Sequence, residues 1–125
     1  MLSDSTKMII STFEDIIYSL ELIKKRCITI NSSDDFLEDE DAIERLDSIS
    51  MRLIAIGEGF KNIDKLSNSE LLVQYPNIPW KKVKGIRDIL SHHYFQIDSE
   101  VIFEICQDEL DKLLKTSIKI MNDIS

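Results

Sequence analysis

Residues 78–94 read IPWKKVKGIRDILSHHY and contain a helix start, a basic turn and both histidines of the chain. Pro79 suits the first position of a helix, because its φ is fixed and its missing N–H needs no partner there. Val83, Ile86 and Leu90 follow at spacings of three and four, which indicates one buried stripe of a helix. We therefore predict that a helix begins at Pro79 and runs through this stretch.

The polar residues of the stretch are predicted to line the other side of that helix. By their spacing, Arg87, Ser91 and Tyr94 share one stripe, while Asp88 and His92 share another. Side chains able to do chemistry would then face away from the core.

The same residues resemble a known family. Arg87, four residues, His92, one residue and Tyr94 match the R-x4-H-x-Y signature of HepT-like ribonuclease toxins, a branch of the HEPN superfamily. The similarity covers residues 50–105 closely and includes flanking words at familiar spacing: IGEG (56–59), YPNIPW (75–80), GIRDIL (85–90) and YFQID (94–98). It implies an all-α fold and ribonuclease activity.

Length and composition predict one soluble domain spanning residues 1–125. The chain is long enough to bury a core without disulfides, and 43% of its residues are hydrophobic. No apolar run is long enough for a membrane span, and the first residues lack the features of a secretory signal. We predict a cytoplasmic protein in which Cys27 and Cys106 are reduced, rather than a structural bridge or a metal site.

The charge of the chain is unevenly distributed. The net charge is -8, and residues 34–47 hold eight acids against one base, Arg45, so that this acidic segment alone accounts for -7. It could be a solvated face, could repel RNA or could dock a basic partner, and the sequence does not choose among these. Residues 80–94 are locally positive, and Lys81, Lys82 and Lys84 are predicted to bind RNA phosphates.

Apolar periodicity predicts an antiparallel bundle of four main helices with one short helix. The first is expected at 6–27 and the second from 35 or 41 to 65, capped by Ser33 or Asp34. A short helix should follow the SNSE pattern at 67–70, and the last helix should be capped by Asp98. Gly57 and Gly59 inside the second helix suggest a close helix approach, because each costs roughly 1 kcal/mol relative to alanine.

Metal-independent RNA cleavage needs a proton-transfer group and a fixed positive charge. Histidine has an ordinary pKa of about 6.5 and arginine stays charged, so His92 and Arg87 can fill these roles. In one regular helix, however, five residues correspond to a rotation of about 140°, and the two side chains would not point together. Either the helix loosens before His92, or two protomers meet to form one groove. The resemblance implies the second arrangement, a homodimer with a composite active site.

Other site residues carry more than one interpretation. Asp88 could orient the imidazole, His93 is formally an alternative to His92, and Glu58 is either a solvated residue or a carboxylate facing the groove. Trp80 could stack a base or, preferably, anchor its loop to the core.

The resemblance also implies a partner, an MNT-type nucleotidyltransferase antitoxin that transfers AMP to Tyr94. No zinc, P-loop or dinucleotide-binding motif is present, so no metal or cofactor is predicted. The alternative function is a non-catalytic helical dimer that binds nucleotide or a nucleotidyltransferase.

Overall fold

Two long helices, α1 (Asp4–Cys27) and α2 (Glu40–Leu66), pack along each other in the computed structural model, which describes residues 2–93 and 96–125. Phe13 of α1 packs on Phe60 of α2, with ring centroids 6.0 Å apart. Further along α1, Ser19 accepts a hydrogen bond from Arg52, which comes earlier in α2 than Phe60. The helices are therefore antiparallel. A 3-10 turn (Ser33–Leu37) lies in the connection between them.

The second half of the chain is more segmented. After a 3-10 turn (Leu72–Gln74) come two short helices, α3 (Trp80–Lys84) and α4 (Ile86–Leu90), and a two-stranded antiparallel ribbon of β1 (Ser91–His93) and β2 (Gln96–Ile97). Helix α5 (Ser99–Glu104) continues through a π-helical segment (Ile105–Glu109) into α6 (Leu110–Ile124). The all-α class is confirmed, with the ribbon as its small β element.

Polar side chains begin the principal helices. Ser3 accepts a hydrogen bond from the N–H of Thr6 at the start of α1, and Asp39 accepts one from Ala42 at the start of α2. Asp98 accepts from the second and third residues of α5, as predicted. The prediction of Ser33 or Asp34 as the cap of α2 was wrong, because both residues lie inside the preceding 3-10 turn and Asp39 is the cap of α2.

The short helix predicted after the SNSE pattern is reduced to the 3-10 turn. Asn68 and Ser69 have φ values of 55° and 60°, in the left-handed region, and the N–H of Ser69 donates back to the carbonyl of Asp64. This pattern ends α2 and satisfies its last carbonyls, so Ser67 closes one helix instead of opening the next.

The two glycines of α2 lie at close helix contacts, as predicted. A Cβ on Gly57 would lie 2.9 Å from both Cγ2 of Ile86 and the carbonyl oxygen of Val83. A Cβ on Gly59 would lie 3.0 Å from Cδ1 of Ile16 in α1. The absence of a side chain therefore lets α2 approach α1 on one side and the α3–α4 region on the other.

Aliphatic and aromatic side chains from all the helices form one core. Phe13, Phe36, Phe60 and Leu90 are almost completely buried within it. In the described part of the chain, no helix combines the length and apolar character needed to cross a bilayer.

Candidate functional site

Helix α4 presents Arg87 and Asp88 to solvent because its other side is fixed in the core. Ile86 and Leu90 are 9% and 1% exposed, and Ile86 rests on Gly57 of α2. Arg87 and Asp88 between them are exposed. The short helix is therefore anchored in the core and holds Arg87 at the surface.

The predicted helical stripe of Asp88 and His92 was wrong. Helix α4 ends at Leu90, whose carbonyl accepts from the N–H of Asp98, and Ser91–His93 is an extended strand. Because His92 lies in the strand and Asp88 in the helix, the two residues do not share a helical stripe. Tyr94, the predicted AMP acceptor, lies outside the described residues.

This break removes the geometric difficulty of one regular helix. The change from helix to strand lies between Arg87 and His92, which corresponds to the first of the two arrangements expected from the sequence. The 140° separation of a continuous helix no longer applies to the pair. His93 lies on the same strand, and the composite dimer stays a prediction.

Two of the three lysines predicted to bind RNA are paired with carboxylates. Lys82 contacts Glu109 of the π-helical segment at 2.8 Å, and Lys84 forms an ion pair with Asp64 of α2. The Lys84 and Asp64 side chains are only 30% and 17% exposed, so this pair joins the end of α3 to α2. Lys81 is exposed on α3.

Glu58 lies on the exposed side of α2. Its carboxylate pairs with Lys61 at 3.0 Å, one turn further along the helix. Its neighbours Gly57 and Gly59 face the packed helices. A role of Glu58 in the catalytic groove stays a prediction.

The loop before α3 is fixed by contacts that the sequence did not predict. Tyr75 donates a hydrogen bond to Asp123 of α6 at 2.7 Å, and Asn77 donates to Thr116 at 3.0 Å. The bond to Asp123, with burial, raises the pKa of Tyr75 to about 12, and it lowers the pKa of Asp123. The only hint in the sequence was that Tyr75 and Asn77 belong to the YPNIPW word.

Trp80 has the structural role preferred from the sequence. Its indole N–H donates to the carbonyl of Tyr75 at 2.9 Å, and its ring packs 5.0 Å from that of Phe60. The tryptophan therefore attaches the start of α3 to the core.

A cavity of about 210 Å³ lies behind α3 and α4 and was also not predicted. Its wall is mainly aliphatic and comes from α2, α3, α4, the π-helical segment and α6, with Lys82 and Glu109 among the charged lining residues. The π-helical segment thus contacts the elements that position Arg87.

Comparison with known proteins places these features in a family. The family profile described as "Ribonuclease HepT-like" matches residues 16–120, from α1 to α6. The chain belongs to the HepT-like ribonuclease family. The HepT-like match spans the whole of the α3–α4–β1 region, and it confirms the family expected from the R-x4-H-x-Y signature.

Individual relatives agree with this HepT-like assignment. The chain is 33% identical over 91 residues to a predicted RNase of Methanocaldococcus jannaschii, covering 73% of this chain and 69% of the relative. A predicted RNase of Caldanaerobacter subterraneus is 32% identical over 108 residues, covering 86% and 89%. A predicted ribonuclease HepT of Thermococcus cleftensis is 31% identical over 100 residues, covering 80% and 84%. No solved structure matches the chain significantly.

Proposed function

We propose that this HepT-like chain is a metal-independent endoribonuclease of the cytoplasm, the toxin of a toxin–antitoxin pair. The observation that carries the proposal is the position of the signature: an exposed Arg87 on a core-anchored helix, with His92 on the strand that follows directly. Family membership and the RNase names of the relatives support the same activity.

The proposed reaction is an internal attack of the RNA on its own backbone. His92 accepts the proton of the ribose 2′-hydroxyl, the 2′-oxygen bonds to phosphorus, and the bond from phosphorus to the 5′-oxygen breaks. The leaving 5′-oxygen takes a proton from a second imidazolium. The products are a 2′,3′-cyclic phosphate and a 5′-hydroxyl.

Arg87 supplies the charge that this reaction needs. Its guanidinium stays protonated and can contact two phosphate oxygens as negative charge develops on the phosphorane. Asp88, the next residue, would orient an imidazole. Lys81 is the lysine best placed to bind a flanking phosphate, because it is exposed and, among the described residues, is not engaged in an ion pair as Lys82 and Lys84 are. Lys82 and Lys84 would first have to leave Glu109 and Asp64.

We further propose that the active form is a homodimer whose two signature regions share one groove. A two-fold axis brings the same surface of both protomers together, so that one groove holds two arginines and two histidines. This arrangement provides the second imidazole that protonates the leaving group. His93, beside His92, is the alternative donor.

Neutralisation is proposed to occur by transfer of AMP to Tyr94 from an MNT-type nucleotidyltransferase. The modification adds a bulky anion two residues after His92. Its charge would repel an RNA phosphate and its volume would obstruct the groove.

The test is cleavage of total RNA by the purified protein in EDTA, with intact mass recorded to exclude AMP already present on Tyr94. We expect wild type to leave cyclic-phosphate ends, and Arg87→Ala and His92→Ala to lose cleavage while eluting as the wild type does in size exclusion. Arg26→Ala, a change of an arginine on α1, is the matched control and should cleave normally.

If the unmodified dimer cleaved none of a wide range of RNAs, the proposed nuclease activity would be overturned. The result would then favour the non-catalytic dimer that binds nucleotide or a nucleotidyltransferase. The net charge of -8 and the two paired lysines are the observations that favour this second function.

A further inference from the structure

The two cysteines of the chain line the same pocket beside the end of α1. Cys27 is the last residue of α1, and Cys106 is the second residue of the π-helical segment. Both are free thiols and both line one surface pocket of about 250 Å³, together with Lys24, Asn31 and Asp111. Residues far apart in the sequence thus share one pocket wall, in which Cys27 is 8% exposed and Cys106 is half-buried.

The two sulfur groups differ in their tendency to ionise. Cys106 donates a hydrogen bond to Cys27, and this bond, together with the charge of Arg45, lowers the pKa of Cys27 against the opposing effect of burial. The same contact and burial raise the pKa of Cys106. Cys27 is therefore the more readily ionised thiol of the pair, and the thiolate is the form that reacts with oxidants.

We propose that Cys27 and Cys106 form a reversible intramolecular disulfide when the protein meets a peroxide. The Cys27 thiolate attacks one peroxide oxygen, the O–O bond breaks, and Cys27 becomes a sulfenic acid with release of water. Cys106 then attacks the Cys27 sulfur, the S–O bond breaks, and the leaving hydroxide takes the proton of the Cys106 thiol and departs as a second water. With hydrogen peroxide as the oxidant, the two thiols lose two electrons in total and the peroxide is reduced to two waters.

The π-helical segment gives this disulfide a structural consequence. A π-helical turn is an irregular insertion in an α-helix and is frequent at functional sites. The same segment places Ile105 and Glu109 on the cavity behind α3 and α4, and Glu109 pairs with Lys82 of α3. A bond from Cys106 to α1 would therefore restrain the segment that supports the Arg87 region.

The experiment treats the full-length reduced protein with a stoichiometric amount of hydrogen peroxide. We expect the intact mass to fall by two hydrogen atoms, a peptide map to join the Cys27 and Cys106 peptides, and dithiothreitol to restore both thiols. Cys27→Ser and Cys106→Ser should form no internal link. Gain of oxygen atoms without a link, or a link between two chains, would overturn the proposal.

A second measurement asks whether the fold itself brings the thiols together. The disulfide is equilibrated against reduced and oxidised glutathione, once with native protein and once in urea. We expect the equilibrium constant for the bond to be larger in the native protein by about tenfold or more, because the fold holds the thiols together. An equal or smaller native value would overturn the proposal. Neither measurement uses RNA, so failure of the proposed nuclease would leave this result unaffected.

Discussion

At the scale of single residues, Gly57 decides how closely the α3–α4 region approaches α2. Alanine there would place a Cβ 2.9 Å from the backbone oxygen of Val83, which a change of side-chain rotamer cannot relieve. We expect Gly57→Ala to lower the free energy of unfolding by about 1–3 kcal/mol, the usual cost of overpacking. It should also reduce RNA cleavage, because α4 carries Arg87. Urea unfolding and the cleavage assay measure the two effects.

Gly59→Ala is the matched control for that change. The atoms nearest to its Cβ would be side-chain atoms of Ile16, at 3.0–3.1 Å. A side chain can move to relieve such a contact, whereas a backbone oxygen cannot. The gain in helix propensity, about 1 kcal/mol, then offsets much of the energetic cost of this close contact. If Gly59→Ala were the more damaging variant, the backbone contact at Gly57 would not be the limiting one.

Tyr75 provides a residue-scale test of the loop before α3. Because its pKa is raised to about 12, the hydrogen bond to Asp123 stabilises the fold below pH 10 and is lost as the pH rises through 12. We expect ultraviolet titration to show a tyrosinate step near pH 12 that disappears in Tyr75→Phe. Asp123→Asn keeps an acceptor but removes the charge, so the step should move to lower pH. An unchanged step in Tyr75→Phe would assign the titration to another residue.

At the scale of elements, the ion pair of Lys84 with Asp64 fastens the end of α3 to α2. The pair is largely shielded from water, so Lys84→Met would leave a carboxylate without its counter-charge. We expect this variant to lose about 1–2 kcal/mol of unfolding free energy. Lys82 pairs with Glu109, whose side chain is 46% exposed, so Lys82→Met should change the free energy of unfolding by less than about 0.5 kcal/mol. Equal losses in urea unfolding would contradict the difference in burial.

The elements also show where periodicity predicts well and where it does not. The long helices α1 and α2 were predicted nearly to their ends, because each carries an apolar stripe over many turns. The π-helical segment was not predicted, although Ile105 and Leu110 are five residues apart, the spacing of the hydrogen bond that the N–H of Leu110 donates to the carbonyl of Ile105. The motif helix was predicted too long because residues 91–93 pair with β2, a contact that helical spacing cannot reveal.

At the scale of the whole molecule, the proposed dimer can be tested by mixing wild type with the inactive His92→Ala variant. The proposed groove needs an imidazole from each protomer, so a mixed dimer lacks the second imidazole and should not cleave RNA. With free exchange of protomers in an equal mixture, we expect about a quarter of the cleavage given by the same total amount of wild type, because about a quarter of the dimers hold two wild-type protomers. Wild type mixed with Arg26→Ala, which should lose no cleavage, is the control. About half of wild-type cleavage in a mixture that has exchanged would contradict a groove that needs both His92 side chains.

By itself, the sequence determined the family, the all-α class, the two long helices and the close approach at Gly57 and Gly59, because these follow from local spacing and side-chain size. It also predicted Arg87 and His92 as the chemical pair, and this assignment stays a prediction. Only the tertiary structure decided that the helix stops at Leu90, that Lys82 and Lys84 pair with acids, and that Cys27 and Cys106 line one pocket. These features depend on contacts between residues distant in the chain, which periodicity and propensity do not encode.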